Sequence, residues 1–556
     1  EASGGSGVGS RRAEASGRSV PGVICAAIFA NVFGNGSNMN KKKWGKFLRI
    51  IFGRTAFVTL SILIQIFILL ETFRWLSGYL YYVYGGFVLL SAVVVIYIIN
   101  KRENPIYQLA WIIPVLVFPV FGAMFYIFLE FQPGTRHMAM RMEHILQKTR
   151  PFLEQDPEVL KHLAEESRNT EHLADYMNRY GGYPVYDHTW VEYFPLGDDL
   201  YQPLLEELKK AEHYIFMEYF IVERGEVWDH VLEILKQKVQ EGVEVRVMYD
   251  GMCCLTLLPY RYPRELEKYG IRCKMFSPVR PALSSYQNNR DHRKITVIDG
   301  HTAFTGGINM ADEYMNLKER FGHWKDTAIM LKGHGARSFL MMFLQMWNVT
   351  EKGEEDYQRY LRVDYSRVPQ AAQAQGYVMP YGDSPWDREP VGQYVYMDII
   401  NKAREYVHIM TPYLILDSDM MTALTFAAKR GIEMIIIMPH IPDKKYAYRL
   451  ARSYYMELLM AGVRIFEYTP GFVHAKVFSS DGEKAVVGSV NLDYRSMYLH
   501  FECAAYLYRT GVVSQVEEDF QRTLALCQEV TVEDQMHYPL TEKAAGSVLR
   551  LFAPLM

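Results

Sequence analysis

The sequence is poor in cysteine, and its six cysteines include no C-x-x-C pair. Neither a disulfide framework nor a zinc site is therefore indicated, and the thiols are expected to be reduced and mostly buried. An excess of one charge is also lacking, because 60 Lys and Arg stand against 63 Asp and Glu, a formal net charge of −3. The overall charge does not suggest a protein that coats nucleic acid, although a local basic cleft stays open.

Charged residues are absent from three apolar runs, which span residues 55–70, 79–99 and 106–129. Each run approaches or exceeds the ~18–20 residues that a helix needs to cross a bilayer. We therefore expect membrane-anchoring helices over residues 39–130, with buried core helices as the alternative. The third run contains Pro114, Pro119 and Gly122, so that it either crosses with a kink or turns back without crossing.

The N-terminal region bears on where the rest of the chain lies. Residues 1–38 are rich in Gly, Ser, Ala and Arg and are expected to be disordered or foreign to the fold, with Met39 as a natural start. Basic residues before the first run, and Lys101 and Arg102 between the second and third, indicate the cytoplasmic side. If the third run turns back, the rest of the chain is cytoplasmic too, which the reduced-looking cysteines favour. If it crosses, the rest lies outside.

After a polar, helical linker over residues 131–180, the chain contains an internal repeat. Strand, helix, strand, helix and strand patterns follow one another over residues 214–276 and again over residues 406–467. This alternation predicts an α/β fold with a largely parallel sheet in each copy. We place a first domain at residues 181–355, a linker at 356–385 and a second domain at 386–556.

Each copy ends in the same motif, H-x-K-x4-D followed after an equal spacer by G-[GS]-x-N. The motif residues are His292, Lys294, Asp299, Gly307 and Asn309 in the first copy and His474, Lys476, Asp481, Ser489 and Asn491 in the second. Residues two apart on a strand face the same way, so the histidine and lysine of each copy should share one pocket.

Two such half-sites suit displacement at a phosphodiester without a metal. One imidazole attacks phosphorus while the other protonates the leaving oxygen, and the lysines and asparagines stabilise the phosphoryl oxygens. The glycine lets the backbone pass close to the pocket. Asp299 and Asp481 either orient the imidazoles or simply form Asp-Gly turns. No cluster with metal-ligand spacing is visible, so we expect no metal and no cofactor.

These motifs resemble the phospholipase D superfamily and, more narrowly, its bacterial cardiolipin synthase family. The resemblance covers roughly residues 45–556 and includes Trp324-Lys-Asp326-Thr and Ser489-Val-Asn-Leu-Asp-Tyr-Arg495-Ser496. It implies two tandem α/β/α domains with pseudo-twofold symmetry, preceded by a helical membrane region. It also implies transfer of a phosphatidyl group between two phosphatidylglycerol molecules, giving cardiolipin and glycerol through a phosphatidyl-histidine. By the habit of the superfamily, His292 is the nucleophile and His474 the general acid and base.

The chain departs from the family pattern in places that bear on substrate choice. Asp291 replaces an asparagine before the first histidine, and His500-Phe501-Glu502 replaces Asn-Phe-Glu. Glu218 on the first predicted strand is a candidate substrate-binding residue or a surface residue, and Pro412-Tyr413 stands near its counterpart in the second copy. This asymmetry suggests that the two halves hold different substrates.

Three other functions stay open at this stage. A membrane-bound hydrolase or another phosphatidyltransferase would use the same residues, and a nuclease of the superfamily is disfavoured because nucleic acid gives no reason for apolar anchoring. An inactive membrane scaffold is disfavoured because neither motif has lost its histidine or lysine.

Overall fold

The computed structural model describes residues 63–64, 66–67, 70–71, 80–101, 105–130, 133–278, 288–351, 353, 355–387 and 389–555. The predicted leader over residues 1–38 lies outside these residues, as does most of the first apolar run. Contacts divide the chain into residues 1–64 and residues 65–556, and every element below belongs to the second unit.

Helices and strands alternate along most of the described chain. The helices α1 to α17 are Leu80–Asn100, Pro105–Val117, Pro119–Glu130, Pro133–Thr149, Pro157–Glu166, Arg168–Tyr176, Gly197–Lys210, Glu226–Gln240, Tyr262–Glu267, Ala336–Asn348, Val391–Lys402, Ser418–Lys429, Lys445–Ala461, Tyr494–Tyr498, Val513–Leu524, Val532–His537 and Leu540–Phe552. The strands β1 to β18 are Thr189–Phe194, Tyr214–Tyr219, Glu244–Asp250, Arg272–Phe276, Arg290–Asp291, Lys294–Ile298, Thr302–Gly306, His323–Lys325, Ala328–Gly333, Tyr377–Asp383, Tyr406–Met410, Glu433–Pro439, Arg464–Tyr468, Gly471–Val473, Val477–Ser480, Lys484–Gly488, His500–Tyr508 and Cys527–Val530.

Two sheets form the body of the protein and repeat one another in strand order. Within the described residues, the first runs β1-β9-β7-β6-β2-β3-β4 and the second runs β10-β17-β16-β15-β11-β12-β13-β18. The strand–helix–strand predictions are confirmed, because β2, β3 and β4 are parallel, as are β11, β12 and β13. The prediction of a largely parallel sheet is wrong. The motif strands β6 and β15 pair antiparallel with β7 and β16, because a short Asp-Gly turn joins each pair.

Short parallel strands connect the two halves beside each motif. β5 pairs with β17, and β14 pairs with β8. The backbone N–H of His292 donates to the Phe501 oxygen at 2.9 Å, and that of His474 donates to the Lys325 oxygen at 2.7 Å. Each motif histidine is therefore held by a strand of the opposite half, which is the approximate twofold relation predicted from the repeat.

A central apolar core lies between the two sheets and is shared by them. It includes Val297 of β6, Val487 of β16, Phe343 of α10 and Phe520 of α15, all fully buried. Burial of apolar side chains contributes roughly 25 cal/mol per Å². The two halves therefore form one folding unit, and the strand ends that carry the motifs are fixed relative to each other.

The segments predicted as linkers are structured. Ile145 of α4 packs in the central core, while Leu163 of α5 and Leu173 of α6 pack in the core of the second half. Strand β10 falls in the predicted 356–385 linker, yet it pairs along its whole length with β17. The second half therefore begins before residue 386, because an edge strand of its sheet precedes that point.

The third apolar run does not form one helix. It forms α2 and α3, and the chain reverses between them. Gly122 of α3 lies so close to α2 that an added Cβ would be 2.5 Å from the Pro114 carbonyl oxygen. Lys101 and Glu130, near the ends of α1 and α3, approach to 2.9 Å. The run thus turns back, the second of the two predicted alternatives.

Among the described residues, no helix is both long enough and apolar enough to span a bilayer. The prediction of membrane-spanning helices over residues 39–130 is therefore not confirmed.

Candidate active site

Each motif histidine forms a buried pair with a carboxylate from the other half. His292 Nδ1 lies 2.9 Å from Glu502 Oε2, and His474 Nδ1 lies 2.6 Å from Asp326 Oδ2. All four side chains are buried. A carboxylate that accepts the Nδ1–H fixes the ring and leaves Nε2 free to attack phosphorus or to carry a proton. Neither half is complete without the other.

The two histidines lie in one electrostatic environment. Burial lowers the pKa of His292 well below its usual value, and Lys294, Lys476 and His474 lower it further. Burial likewise lowers the pKa of His474, with Lys476 and Lys294 adding to the effect. Both lysines therefore act on both imidazoles, as a single centre with two half-sites requires.

The motif lysines are held inside the pocket. Burial lowers the pKa of Lys294 to about 8 and that of Lys476 to about 7. Each ammonium donates to the carbonyl oxygen of the histidine two residues earlier. A bound phosphoryl group would favour the charged form of both lysines, so this pocket is suited to an anion.

The asparagines after each motif are enclosed and only partly satisfied. Asn309 Oδ1 accepts from the Ile221 N–H at 2.9 Å, while its Nδ2 is buried with no hydrogen-bond partner among the described residues. Asn491 is also buried, and within the same part of the chain its Oδ1 has no partner. Buried polar groups are rarely left unpaired, so these amides are available to a ligand.

The residues at the G-[GS] position support the two carboxylates in different ways. A Cβ on Gly307 would lie 2.0 Å from Asp326 Oδ1, so only glycine leaves room for that carboxylate. At the equivalent position, Ser489 Oγ donates to Glu502 Oε2 at 2.5 Å. Both residues were predicted to bind substrate. The structure brings them against the carboxylates that hold the histidines.

The catalytic role predicted for Asp299 and Asp481 is not supported. Both residues have positive φ, at 50° and 55°, and follow the far ends of the motif strands. Their carboxylates accept backbone N–H groups of Glu212, His213 and Tyr214 in the first half and of Arg404, Glu405 and Tyr406 in the second. Each aspartate anchors the turn and the start of the neighbouring strand, which is the alternative that the sequence left open.

Glu218, predicted to bind substrate, instead forms a buried ionic cluster. Its Oε1 lies 2.5 Å from Arg293 Nη2, and Arg293 Nε lies 3.3 Å from Asp291 Oδ1. Arg293 stands between His292 and Lys294 along the chain. The unusual Asp291 is thus explained as an ion-pair partner that helps to hold the motif segment.

Sequence reasoning did not assign the histidine partners Asp326 and Glu502. Asp326 occurs in a phrase that carries the family resemblance and Glu502 in one that departs from it, but nothing in their spacing relates them to the motifs. It also left His500 without a role. The His500 ring lies 5.4 Å from that of His292, and Arg495 Nη1 lies 3.3 Å from His500 Nε2.

Among the described residues, His292, His500 and Glu502 have potential metal-ligand atoms within 4.8 Å of one another. Glu502 already accepts from His292, and Arg495 approaches His500. The charges of the neighbouring lysines also disfavour a cation at this place. These contacts already engage potential ligand atoms of the group, and activity without a metal stays a prediction.

Comparison with known proteins relates most of the chain to the cardiolipin synthases. The family model described as cardiolipin synthase, PLD-like domain, matches residues 204–333 and 396–524, and the phospholipase D-nuclease N-terminal model matches residues 89–129. A cardiolipin synthase of Geobacillus kaustophilus is 35% identical over 84% of this chain and 92% of its own length. One from Alkalihalophilus pseudofirmus is 32% identical over 87% of this chain and 95% of its own. An uncharacterized Streptococcus mutans protein is 50% identical over 83% and 99%.

Among solved structures, a phosphatidylserine synthase from Haemophilus influenzae has a similar fold. It aligns with a TM-score of 0.52 and 16% sequence identity, over 70% of this chain and 98% of the other. At this identity the likeness concerns the fold alone.

Proposed function

The chain belongs to the cardiolipin synthase family of phospholipase D-like proteins and is a phosphatidyltransferase, and we propose that it joins two phosphatidylglycerol molecules through His292 and His474. The observation that carries the proposal is the crossed pairing of each histidine with a carboxylate from the opposite half. This arrangement supplies two oriented imidazoles around one phosphate, with two lysines to offset its charge.

In the first step, His292 Nε2 attacks the phosphorus of one phosphatidylglycerol. The bond from phosphorus to the headgroup oxygen breaks, and His474 gives that oxygen a proton, so that glycerol leaves. The product is a phosphatidyl group bonded to His292. The motif lysines and the amide N–H group of Asn309 stabilise the phosphoryl oxygens, while Asn491 Oδ1 can accept from a hydroxyl of the substrate, since neither amide atom has a partner among the described residues.

In the second step, a free hydroxyl of another phosphatidylglycerol gives its proton to His474. The hydroxyl oxygen attacks phosphorus and the phosphorus–nitrogen bond breaks, which restores His292 and releases cardiolipin. The balance is two phosphatidylglycerol giving one cardiolipin and one glycerol. Two easier displacements replace one difficult one.

His474 is assigned as the acid and base and His292 as the nucleophile because their carboxylate partners, Asp326 and Glu502, differ. Burial raises the pKa of Asp326 to about 7, which favours a proton held between Asp326 and His474 near neutral pH although burial lowers the pKa of the imidazole. The proposed acid and base draws on that shared proton. Glu502 also accepts the hydroxyls of Ser489 and Ser496, at 2.5 and 2.7 Å. This firmly held carboxylate suits a nucleophile whose Nε2 has to keep its lone pair.

The reaction is tested with purified enzyme and vesicles in which phosphatidylglycerol is the sole lipid. We expect cardiolipin and glycerol in equal amounts, with no requirement for a divalent ion. Phosphatidic acid as the sole lipid product would indicate a hydrolase instead. Loss of turnover with a chelator, restored by a divalent ion, would contradict metal-free catalysis.

The order of the histidines is tested with a donor whose headgroup is p-nitrophenol, which leaves without being protonated. His474→Ala should then release one equivalent of nitrophenol and keep the phosphatidyl group on His292, detectable by mass spectrometry. His292→Ala should release none. A burst from His292→Ala and none from His474→Ala would reverse the assignment.

We also propose that the α1–α3 region rests in a lipid surface. Leu89, Ile96 and Phe118 are among its strongly exposed apolar side chains, and Phe118 lies at the reversal between α2 and α3. Because the hairpin of α2 and α3 enters and leaves at the end where Lys101 lies, the catalytic halves share the cytoplasmic side expected for that lysine. Phe118→Asp should weaken flotation with phosphatidylglycerol vesicles, and unchanged flotation would contradict this placement.

A further inference from the structure

A cluster of three polar side chains borders the site in the second half. Tyr413 follows β11, and Asp443 and Lys444 lie between β12 and α13, beyond the ends of neighbouring parallel strands. The Tyr413 hydroxyl donates to Asp443 Oδ2 at 2.6 Å and accepts from Lys444 Nζ at 2.9 Å. These three connected side chains form what we call the acceptor cluster.

Backbone pairing and charge connect the acceptor cluster to the reacting groups, because Leu414, next to Tyr413, pairs with Leu492, next to Asn491. Tyr314 packs edge-on against His474, with ring centroids 5.4 Å apart, and burial, Asp326 and, further off, Asp443 raise its pKa. After burial and the motif lysines, Lys444 adds to the lowering of the pKa of both motif histidines. Lys444 therefore borders the centre, with a smaller effect on the imidazoles than burial and the motif lysines have.

The acceptor cluster keeps capacity for a ligand. Asp443 Oδ1 is buried and has no hydrogen-bond partner among the described residues. The Lys444 side chain is 47% exposed, and its ammonium lies 3.6 Å from Asp443 Oδ2. Asp443 Oδ1 can accept a hydrogen bond from a hydroxyl, and the Lys444 ammonium can pair with an anion. Together they complement a hydroxyl and a phosphate on one molecule.

The first half is built differently at the same places. Tyr219 pairs with Lys294, and Met410 pairs with Val477, the residue after the equivalent Lys476. Counting along β2 and β11 from these pairs, Ile221 occupies the position of Tyr413. Asp250, which ends β3 as Pro439 ends β12, is engaged by Arg290 at 3.3 Å and by the backbone N–H groups of Met252 and Cys253. The two halves therefore offer different surroundings to the two lipids of a transfer reaction.

We propose that the acceptor cluster binds the headgroup of the second phosphatidylglycerol. Lys444 meets its phosphate, and Asp443 Oδ1 accepts the glycerol hydroxyl that does not react. Tyr413 bonds to both side chains and so fixes their spacing. This inference rests on the proposed function and adds to it a subsite that favours a phosphoglycerol acceptor over water.

The test compares Lys444→Ala with Lys445→Ala, which removes the same charge from the next, exposed residue. Labelled phosphatidylglycerol vesicles report glycerol release, cardiolipin and phosphatidic acid together. We expect Lys444→Ala to lower the ratio of cardiolipin to phosphatidic acid by about tenfold, the usual cost of one charge-assisted hydrogen bond, while glycerol release stays within about threefold. Lys445→Ala should keep the wild-type ratio.

Free glycerol as acceptor gives a second measurement, because it carries no phosphate. Exchange of labelled glycerol into phosphatidylglycerol should be equal in Lys444→Ala and wild type, whereas Asp443→Asn should slow it. An unchanged product ratio in Lys444→Ala would overturn the inference, as would an equal loss of glycerol release and of exchange. Wild-type enzyme that makes no cardiolipin would instead overturn the proposed function.

Discussion

Changing Glu502 to glutamine tests the carboxylate–histidine pairing most directly. Glu502 accepts from His292 Nδ1 at 2.9 Å and from the hydroxyls of Ser489 and Ser496, all of them buried. Glutamine has the same shape, so packing is preserved. Its amide N–H would face the Nδ1–H of His292, and the imidazole would have to carry its proton on Nε2, where the lone pair is needed for attack.

The expected magnitude follows from these contacts. A hydrogen bond to a charged group is worth about 1.5–3 kcal/mol, or roughly 10- to 150-fold in rate. Where an aspartate-to-asparagine change traps the wrong tautomer of a catalytic histidine, the loss reaches about 10⁴-fold. We therefore expect Glu502→Gln to lower kcat by about 10²- to 10⁴-fold, with little change in the temperature of unfolding.

The assay is initial glycerol release from phosphatidylglycerol vesicles, beside thermal unfolding of the same preparations. Glu483→Gln is the matched control, because Glu483 pairs at the surface with Arg509 at 2.5 Å, in the turn beyond the end of β15 that is far from His474. Turnover of a folded Glu502→Gln within tenfold of that control would refute the pairing as a requirement for catalysis.

Three further predictions follow from the site. Asp299→Asn should lower the free energy of unfolding by about 1–2 kcal/mol in urea titrations, through lost backbone contacts, while kcat stays within about threefold; a 10²-fold fall in kcat of the folded variant would restore its catalytic role. Gly307→Ala should lower kcat by about 10²-fold by displacing the carboxylate that lies 2.0 Å from the new Cβ, whereas Gly511→Ala, with open space around it, should not; equal rates would contradict this account. Because the motif lysines have pKa values of about 7 and 8, they lose charge as the pH rises, so kcat/KM should fall above pH 7; a rate that climbs from pH 7 to pH 9 would contradict the role of their charge.

The repeat predicted much of the fold, because local patterns carry it. Strand β3 and helix α8 lie where alternating and helical periodicity put them, and the same holds for β12 and α12. The mixed character of the sheets was missed, since a short antiparallel return leaves little periodicity of its own. The structured nature of the two predicted linkers was missed for a similar reason, because polar helices show which face is buried only after packing.

The residues of the candidate site were also predicted only in part. His292, Lys294, His474 and Lys476 are recognisable from the motif alone, since spacing of two on an extended segment already implies a shared direction. Asp299 belongs to the same motif and was given too much weight, because nearness in sequence says nothing about which end of a strand faces the pocket. At the far end of that strand, its carboxylate accepts hydrogen bonds from backbone N–H groups.

The sequence by itself determined the chemistry of this protein: two histidines, two lysines and two asparagines, repeated with equal spacing for one phosphodiester. Only the tertiary structure decided which carboxylates serve the histidines, because Asp326 is 148 residues from His474 and Glu502 is 210 residues from His292. No local pattern spans such separations. They are closed by packing of the two sheets around a shared core, which brings the strands of one half against the motif of the other.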